Sequence, residues 1–427
     1  MTYVIDRDEV PLMPTKRGNH IRHMLKRGEA RVVRLEPFTV QILRDVGHRV
    51  QAVVLGVDVG SKHIGLSATT KNEELYSAQA EVRDDVTGLL TARREFRRAR
   101  RGRKHNWYRP PRFDNRRKYA YWLPPSVRCK AEAHLRMIRF VLKMLPVREM
   151  RLEIGKFDSQ KIQNPSISGE QYQNGTLAGW ENLKAYAKWR DGYKCRVCGK
   201  SHRADPIVHL EVHHIRRRAD GGSDTPENVV TLCHECHEKH HKKDVVLKFR
   251  RPPVHKNEAH MNAMRNWLEW KVIEMLPSDI EPNVVFGYET EIARREHGIA
   301  KSHMNDAFCI SSGGVFNHFG ARRSTVQYHH KFVRRHNRCL HKSTILKGGY
   351  RKSNQAPKYV FGYRLFDKVK YKGQNCFIFG RRSSGSFDIR KLDGTKISDG
   401  VSYKRLKPLT KSGTMLTERI VCNSSQA

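Results

Sequence analysis

The sequence predicts an α/β multidomain protein: a sheet-bearing domain interrupted by a metal-binding insert and followed by a small β-rich unit. Three observations predict it. Residues 52–82 read as three consecutive strands, AVVLGVDVG, HIGLSATT and ELYSAQAEV, with turns at Gly60-Ser61 and Lys71-Asn72. Two C-x-x-C knuckles, Cys195/Cys198 and Cys233/Cys236, bracket a histidine-rich stretch in mid-chain. From about Tyr363 the pattern changes to short strands, DKVKYKG, NCFIFGRR, SFDIRKLDG and SYKRLKPL, with Gly and Ser turns between them, which suits a small barrel or SH3-like unit.

Charge narrows the partner. The 427 residues have room for roughly two to four domains. Their formal net charge is +39, far more than solubility requires, and it implies a polyanion spread over much of the surface. Phospholipid competes with nucleic acid for that role. No apolar run approaches the roughly 18–20 residues of a membrane span, and MTYVIDRDEVPLMP lacks the basic head and apolar core of a signal peptide. Cys129, Cys309, Cys339, Cys376 and Cys422 are scattered, as reduced cytosolic thiols would be. Nucleic acid is therefore the expected partner, in a cytoplasmic setting and without a membrane.

The elements follow in order. Pro11 and Pro14 are expected to bracket a turn before a short basic helix ending about Arg27. A strand-like run from Ala30 to Leu43, broken at Pro37, completes a small basic unit whose Lys16, Arg17, Arg22, Lys26 and Arg27 can track phosphates. Asp58 lies inside an apolar strand, where a carboxylate is costly unless it is paired, holds a metal or caps the next turn. From Asp85 to Lys104 the pattern predicts a helix about 30 Å long. Arg93, Arg94, Arg97, Arg98, Arg100, Arg101, Arg103 and Lys104 cover nearly all its faces. A helix basic all round has no core face, so it is either a solvated arm or a support for nucleic acid. Trp107 and Tyr108 then offer base stacking in a loop with Arg109 and Arg112.

Leu135, Ile138, Val141, Leu142 and Leu145 stripe an amphipathic helix over 129–145, and the strand REMRLEIG presents Glu153. Residues 159–180 read as a linker, ENLKAYAKWRD as a short helix, and the passage around Pro252-Pro253 as the return linker. A helix from about Glu258 to Met275, a strand NVVFGYET and a helix REHGIAKSHMNDAFCIS come next. His303 and Asp306 lie i, i+3 on that last helix, commonly just a surface pair. Residues 331–352 are densely basic, and the tail after Lys411 is expected to fray.

The central block makes two chemical statements. Each knuckle presents two thiolates, and two knuckles close a tetrahedral Zn²⁺ site, whereas a single C-x-x-C could be a redox pair. Between them run His213-His214, Gly221-Gly222, Asn228 and then a short helix with His237 and His241 on one face. This resembles the HNH nuclease motif in its ββα-metal form. The resemblance makes His214 the general base, His213 and His237 the metal ligands, and Asn228 the residue that orients the base. His240 or His241 is either an extra ligand or a solvated helix-end histidine. Without catalysis, the block would be a zinc-binding nucleic-acid module.

Asp58, Glu153, His303 and Asp306 form a second set. Gathered carboxylates repel unless cations lie between them, and two Mg²⁺ ions clamping the attacking and leaving oxygens are the usual arrangement for phosphodiester hydrolysis. Strand-Asp, strand-Glu and helix-Asp in that order resemble the RNase H-like RuvC nucleases, with the zinc block inserted between the second and third motifs.

With PLMP at 11–14, GVDVGSKHIGLS at 56–67, the arginine arm, LEIGKF at 152–157, the HH…N…H block and EHGIAKSHMNDAFCI at 296–310, the chain resembles the IscB family of transposon-encoded RNA-guided nucleases. The resemblance implies a PLMP domain at 1–51 and a RuvC domain split into 52–90, 121–165 and 245–345. It implies an arginine-rich bridge helix and loop at 91–120, an HNH domain with a four-cysteine zinc site at 166–244, and a C-terminal domain at 346–427 that reads a short motif beside the target. It further implies a guide RNA (ωRNA), a duplex DNA target, a monomeric protein in a ribonucleoprotein, two Mg²⁺ at Asp58, Glu153 and Asp306, and one at His213 and His237. HNH would cut the guide-paired strand and RuvC the displaced one. The alternative is a guide-independent HNH homing or restriction-type endonuclease, which leaves the acidic set and the arginine arm without a task.

Overall fold

The computed structural model describes residues 1–102, 122–153, 183–201, 204–205, 207–217, 222, 225–242, 244–249, 256–285, 287–313, 321–334, 341–353, 355–411 and 413–421. Two units divide the chain, Met1–Ile154 with Trp270–Ala427, and Gly155–Glu269. It is a mixed α/β protein, as the sequence predicts.

The first unit is organised on a seven-stranded sheet. Its centre is a meander of β5 (Val53–Val59), β6 (His63–Thr69) and β7 (Glu74–Glu81). Nearly every residue of β6 is buried, as expected where both sheet faces are covered. On one side β8 (Val147–Glu153) pairs parallel with β5, and β11 (Glu281–Val285) pairs parallel with β8. On the other, β12 (Val326–Phe332) runs parallel to β7 and β20 (Met415–Val421) closes the edge antiparallel to β12. Helix α3 (Pro125–Leu142) buries Val127, Ala131, Leu135, Ile138 and Val141, one stripe at helical spacing.

The N-terminal residues form a four-stranded sheet, β2-β1-β4-β3, from β1 (Thr2–Ile5), β2 (Pro11–Thr15), β3 (Ala30–Arg34) and β4 (Thr39–Ile42), with α1 (Gly18–Lys26) against it. Helix α2 (Val86–Gly102) has no buried residue. Beyond a hairpin of β13 (His341–Ile345) and β14 (Arg351–Ser353), a five-stranded sheet in the order β18-β17-β16-β15-β19 forms around Val369, Ile378, Phe387 and Ile389. Its strands are β15 (Lys368–Tyr371), β16 (Gln374–Arg381), β17 (Ser386–Arg390), β18 (Lys396–Ser402) and β19 (Lys407–Thr410).

The second unit contains α4 (Leu183–Arg190), then β9 (Leu210–His214) antiparallel to β10 (Val229–Cys233), then α5 (His234–His241). This is the strand–strand–helix order expected of the histidine block. Three further helices follow in the chain, α6 (Lys256–Met275), α7 (Gly287–Glu296) and α8 (His303–Ser311).

Four expectations are corrected. Pro11–Thr15 is a strand and not a turn; it is an edge strand, where its two prolines, Pro11 and Pro14, are tolerated. The strand after Glu281 stops at Val285, and Gly287 already begins α7. The helix read as continuous through 295–311 is two helices: Gly298 at φ 62° ends α7, and the Ser302 hydroxyl accepts from the Asn305 N–H to cap α8. The tail does not fray at Lys411, because Met415–Val421 pairs with β12 along its whole length. Arg103, Lys104, Trp107, Tyr108, Arg109, Arg112, the 159–180 linker, Gly221, Pro252-Pro253, Cys339 and Cys422 lie outside the described residues.

A buried ion pair fixes α8 to the sheet. Glu74, 2% exposed, accepts from the Ser67 hydroxyl at 2.7 Å, Arg323 Nε at 3.1 Å and the Ser324 N–H at 3.0 Å. The Arg323 guanidinium also donates to Asn305 Oδ1 at 2.9 Å and lies 4.2 Å from the centre of the Phe308 ring, both on α8. Removing one partner of such a pair leaves a buried charge uncompensated, at about 3–5 kcal/mol. Glu74→Gln should therefore lower unfolding free energy by about that amount in urea denaturation.

Candidate functional site

The first cluster arises from strand register. Parallel pairing sets Asp58 of β5 directly beside Glu153, the last residue of β8. Gly56 precedes Asp58 by two and so shares its face. A Cβ on Gly56 would come within 2.3 Å of the Ala307 carbonyl oxygen, and one on Gly65 of β6 within 1.8 Å of the His303 carbonyl oxygen. The two glycines let α8 lie on bare backbone, with its N-terminal turn over Asp58. His303 Nδ1 then sits 2.5 Å from Asp58 Oδ2. Asp306, one turn on, pairs with Arg294 of α7 at 3.3 Å.

Burial dominates the electrostatics of this cluster. It raises Glu153 to about 7, with help from the charges of Asp58 and Asp306. Burial and Asp58 raise Asp306 to about 6, against the pull of Arg294. The hydrogen bond from His303 to Asp58 raises the imidazole, favouring its charged form. Glu153 Oε2 is buried with no hydrogen-bond partner. Such an orphaned oxygen among mutually repelling carboxylates fits a divalent cation. Unlike the two groups described next, Asp58, Glu153 and Asp306 are not among the described groups whose ligand atoms all lie within 4.8 Å of one another, and Asp58 and Asp306 each face a base of the protein.

Sequence reasoning missed several neighbours. Arg294 and the Glu74–Arg323 clamp carry no local motif. His134 of α3 is fully buried, donates Nδ1–H to the Lys130 carbonyl at 2.8 Å, and is pushed down to about 4 by burial. It is a neutral imidazole close enough to feel the Asp58 charge.

In the second unit, antiparallel register sets His213 opposite Val230 and His214 opposite Val229. Asn228, fully buried, bonds both ways with the Arg216 backbone, accepting at 2.9 Å and donating at 3.0 Å, and so fixes the chain just beyond His214. Helix α5 begins immediately after β10 and brings His237 to His213, Nε2 to Nδ1 at 3.0 Å. His241 Nε2 lies 3.2 Å from His237 Nε2. The ligand atoms of His213, His237 and His241 all fall within 4.8 Å of one another.

The structure separates the two histidines left open by the sequence. His241 joins the group, whereas His240 Nδ1 bonds the Val245 carbonyl at 3.0 Å. Glu211, also missed, binds His237 Nδ1 at 2.5 Å. It thereby holds the His237 proton on Nδ1 and leaves the Nε2 lone pair toward His213 and His241. Burial, reinforced by His237, His240 and His241, pushes His213 down to about 4, so its lone pair stays free near neutral pH. Converging imidazole lone pairs fit a cation.

The four cysteines meet within 4.8 Å, with Cys198 Sγ and Cys233 Sγ 3.6 Å apart. Gly199 at φ 76° closes the first knuckle and donates its N–H to the Cys195 carbonyl at 2.8 Å. Burial raises Cys198 and Cys236. Burial also acts to raise Cys195, but backbone N–H donors outweigh it and hold the thiol at about 7. Four thiols at this spacing fit a zinc site. Arg93, Arg94, Arg97, Arg98, Arg100 and Arg101 are all exposed on α2.

Residues 2–175 match the family described as RRXRR protein, and residues 195–243 match HNH endonuclease. The second match agrees with the HNH domain that the resemblance drawn from the sequence expects. No curated protein matches the chain. Among solved structures, Streptococcus thermophilus Cas9 in complex with the AGAA PAM is 12% identical with a TM-score of 0.22, over 62% of this chain and 32% of that one. The type II-C Cas9 enzyme from Actinomyces naeslundii is 15% identical with a TM-score of 0.17, over 49% and 29%. The chain spans about a third of the length of these structures. Among the described residues, no helix is long and apolar enough to cross a membrane.

Two outcomes follow from this geometry. Cys195→Ser should release metal from the knuckles, seen as loss of zinc on elemental analysis and unfolding of α5 by circular dichroism. A carboxyl held above its usual range binds a proton in the folded state that the unfolded chain releases, so its contribution to stability falls as pH rises through about 7. Glu153→Gln should therefore raise the melting temperature in a chelator, and more at about pH 8 than at about pH 5.

Proposed function

We propose that this chain, with its RRXRR domain and HNH endonuclease domain, is an RNA-guided DNA endonuclease of the IscB type. The observation that carries the reading is the interrupted sheet: residues far apart in sequence supply Asp58, Glu153, His303 and Asp306 to one face, while the intervening segment forms its own histidine site. In this reading the seven-stranded sheet is a RuvC-type RNase H-like domain divided by the HNH insert. The boundaries are those expected from the sequence, 1–51, 52–90, 91–120, 121–165, 166–244, 245–345 and 346–427, save that residues 415–421 pair into the seven-stranded sheet.

Magnesium at Asp58, Glu153 and Asp306, and at His213 and His237, would supply charge neutralisation at the scissile phosphate and a more acidic attacking water. His214 would take the proton of the attacking water in the HNH domain. Asn228 holds the backbone after His214 and so acts as a positioning residue. His303 is set by its bond to Asp58 and faces the other reaction. Zinc at the four cysteines is structural.

The arginines of α2, with Arg103 and Lys104, neutralise phosphates of a guide–target duplex, recognised by shape while base pairing reads sequence. The guide is an ωRNA, the target is duplex DNA beside a short motif read by the C-terminal sheet, and the protein is a monomer within the ribonucleoprotein. Transposon association, a cytoplasmic location and contact with the nucleoid complete the proposal. A guide-independent homing or restriction-type endonuclease would use the histidine site alone.

Strand-specific labelling of a target tests the assignment. Asp58→Ala should leave a nickase for the guide-paired strand and His214→Ala a nickase for the displaced strand, each losing at least about 100-fold on its own strand, as removal of a general base or a metal ligand does. Loss of both cuts from either single change would refute one site per strand. RNA should accompany the purified protein, and cleavage that is equally selective after its removal would favour the guide-independent enzyme.

A further inference from the structure

The five-stranded C-terminal sheet carries an aromatic pair that hydrolysis does not use. Phe361 and Tyr403 stack with ring centroids 4.1 Å apart and planes 9° from parallel. Phe361 sits in a tight turn: Val360 and Tyr363 bond each other both ways, at 2.9 and 3.0 Å, around Phe361 at φ 46° and Gly362 at φ 81°. Two successive positive φ angles make the mirror-image hairpin turn whose first position ordinarily takes Asn, Asp or Gly. Phenylalanine there is held in a strained backbone conformation.

One face of the ring is backed. Gly385, at φ 83°, lies so close that a Cβ would come 2.7 Å from the Phe361 ring and 3.0 Å from that of Tyr403. The Tyr403 N–H donates to the Gly385 carbonyl at 2.9 Å, locking the two turns together. Phe361 nevertheless remains 54% exposed. A ring needed only for packing would be buried, and it would not need a strained backbone to hold it in solvent.

Exposed cations lie on the segments that carry the two rings. Lys404 and Arg405 directly follow Tyr403 and are exposed, as are Lys358 and Tyr359 just before the turn. Arg382, exposed in the turn that ends at Gly385, pairs with Asp399 at 2.7 Å, and Lys396 meets the same carboxylate at 3.1 Å. A bare aromatic face among Lys and Arg is the chemistry that takes a nucleobase on the ring and its phosphates on the cations.

We propose that Phe361, backed by Tyr403, is a stacking platform for an unpaired nucleobase. The proposal rests on the nucleic-acid-binding part of the function above and not on cleavage. A duplex hides its base faces, whereas a single-stranded or looped-out base offers one to a protein ring. Such a base can belong to the guide RNA or to a displaced DNA strand.

Photocrosslinking of the full-length protein tests it, with short 5-bromouracil single strands of RNA and of DNA, a blunt duplex of the same DNA, and mass spectrometry of the adducts. The expected result is an adduct at Phe361 or Tyr403 from one or both single strands and not from the duplex; the strand that gives it identifies the source of the base. Phe361→Asn, which suits the turn, should lower that yield about tenfold at subsaturating probe, within the contribution of one base–aromatic stack, with no drop in melting temperature. Adducts elsewhere but none at these rings would overturn the platform and leave nucleic-acid binding intact. No adduct anywhere would overturn both. Equal marking by the duplex, or an unchanged yield in Phe361→Asn, would also overturn it, the latter making the pair a structural lid.

Discussion

Helix α8 reaches Asp58 only because the strands beneath it are bare of side chains where it crosses. At Gly56 and Gly65 the helix backbone occupies space that any Cβ would fill. Van der Waals contact alone would let a helix so close to a flat surface slide. The Glu74–Arg323 pair removes that freedom, since Arg323 grips both Asn305 and the Phe308 ring. Position along the sheet normal is thus set by glycine, and position within the plane by a buried ion pair. The His303–Asp58 contact inherits both.

The histidine site in the second unit is built on another principle. A two-stranded ribbon and a two-turn helix bury too little apolar surface to be rigid by packing alone. What it gathers instead are clusters of sulfur and of nitrogen donors. The four cysteines lie at the start and end of the block, and β10 passes directly from Cys233 into α5, which carries His237 and His241. Glu211, two residues before His213, fixes the proton of His237 from across the ribbon. The structural and reactive donors therefore share one short stretch of backbone.

What was legible in the sequence follows from this contrast. A carboxylate in an apolar strand, paired thiols and repeated histidines announce themselves by residue type and spacing, so Asp58, the knuckles and the His213/His237 pair could be named in advance. Glu153 gained meaning only beside Asp58. Arg294, Arg323 and His134 could not be named, because a buried cation or imidazole is recognised by its partner and the partner lies far away in sequence. The turn at Gly298 and Ser302 was readable from cap chemistry but was masked by the helical character on both sides. The strand at Pro11–Thr15 depended on its neighbour β1, and pairing between short strands leaves little trace in composition.

Strand β20 carries a consequence for how the molecule is made. Residues 326–332 finish the inner part of the central sheet, yet their outer neighbour, residues 415–421, emerges only after the whole five-stranded sheet has been synthesised. Until then β12 is an open edge on a ribosome-bound chain, with its ladder of N–H and C=O groups unmet. The folding of the carboxylate-bearing sheet is thereby tied to the arrival of residues 415–421, and its high contact order favours slow, late consolidation. A nascent chain that has not yet reached them holds its sheet incomplete on that side.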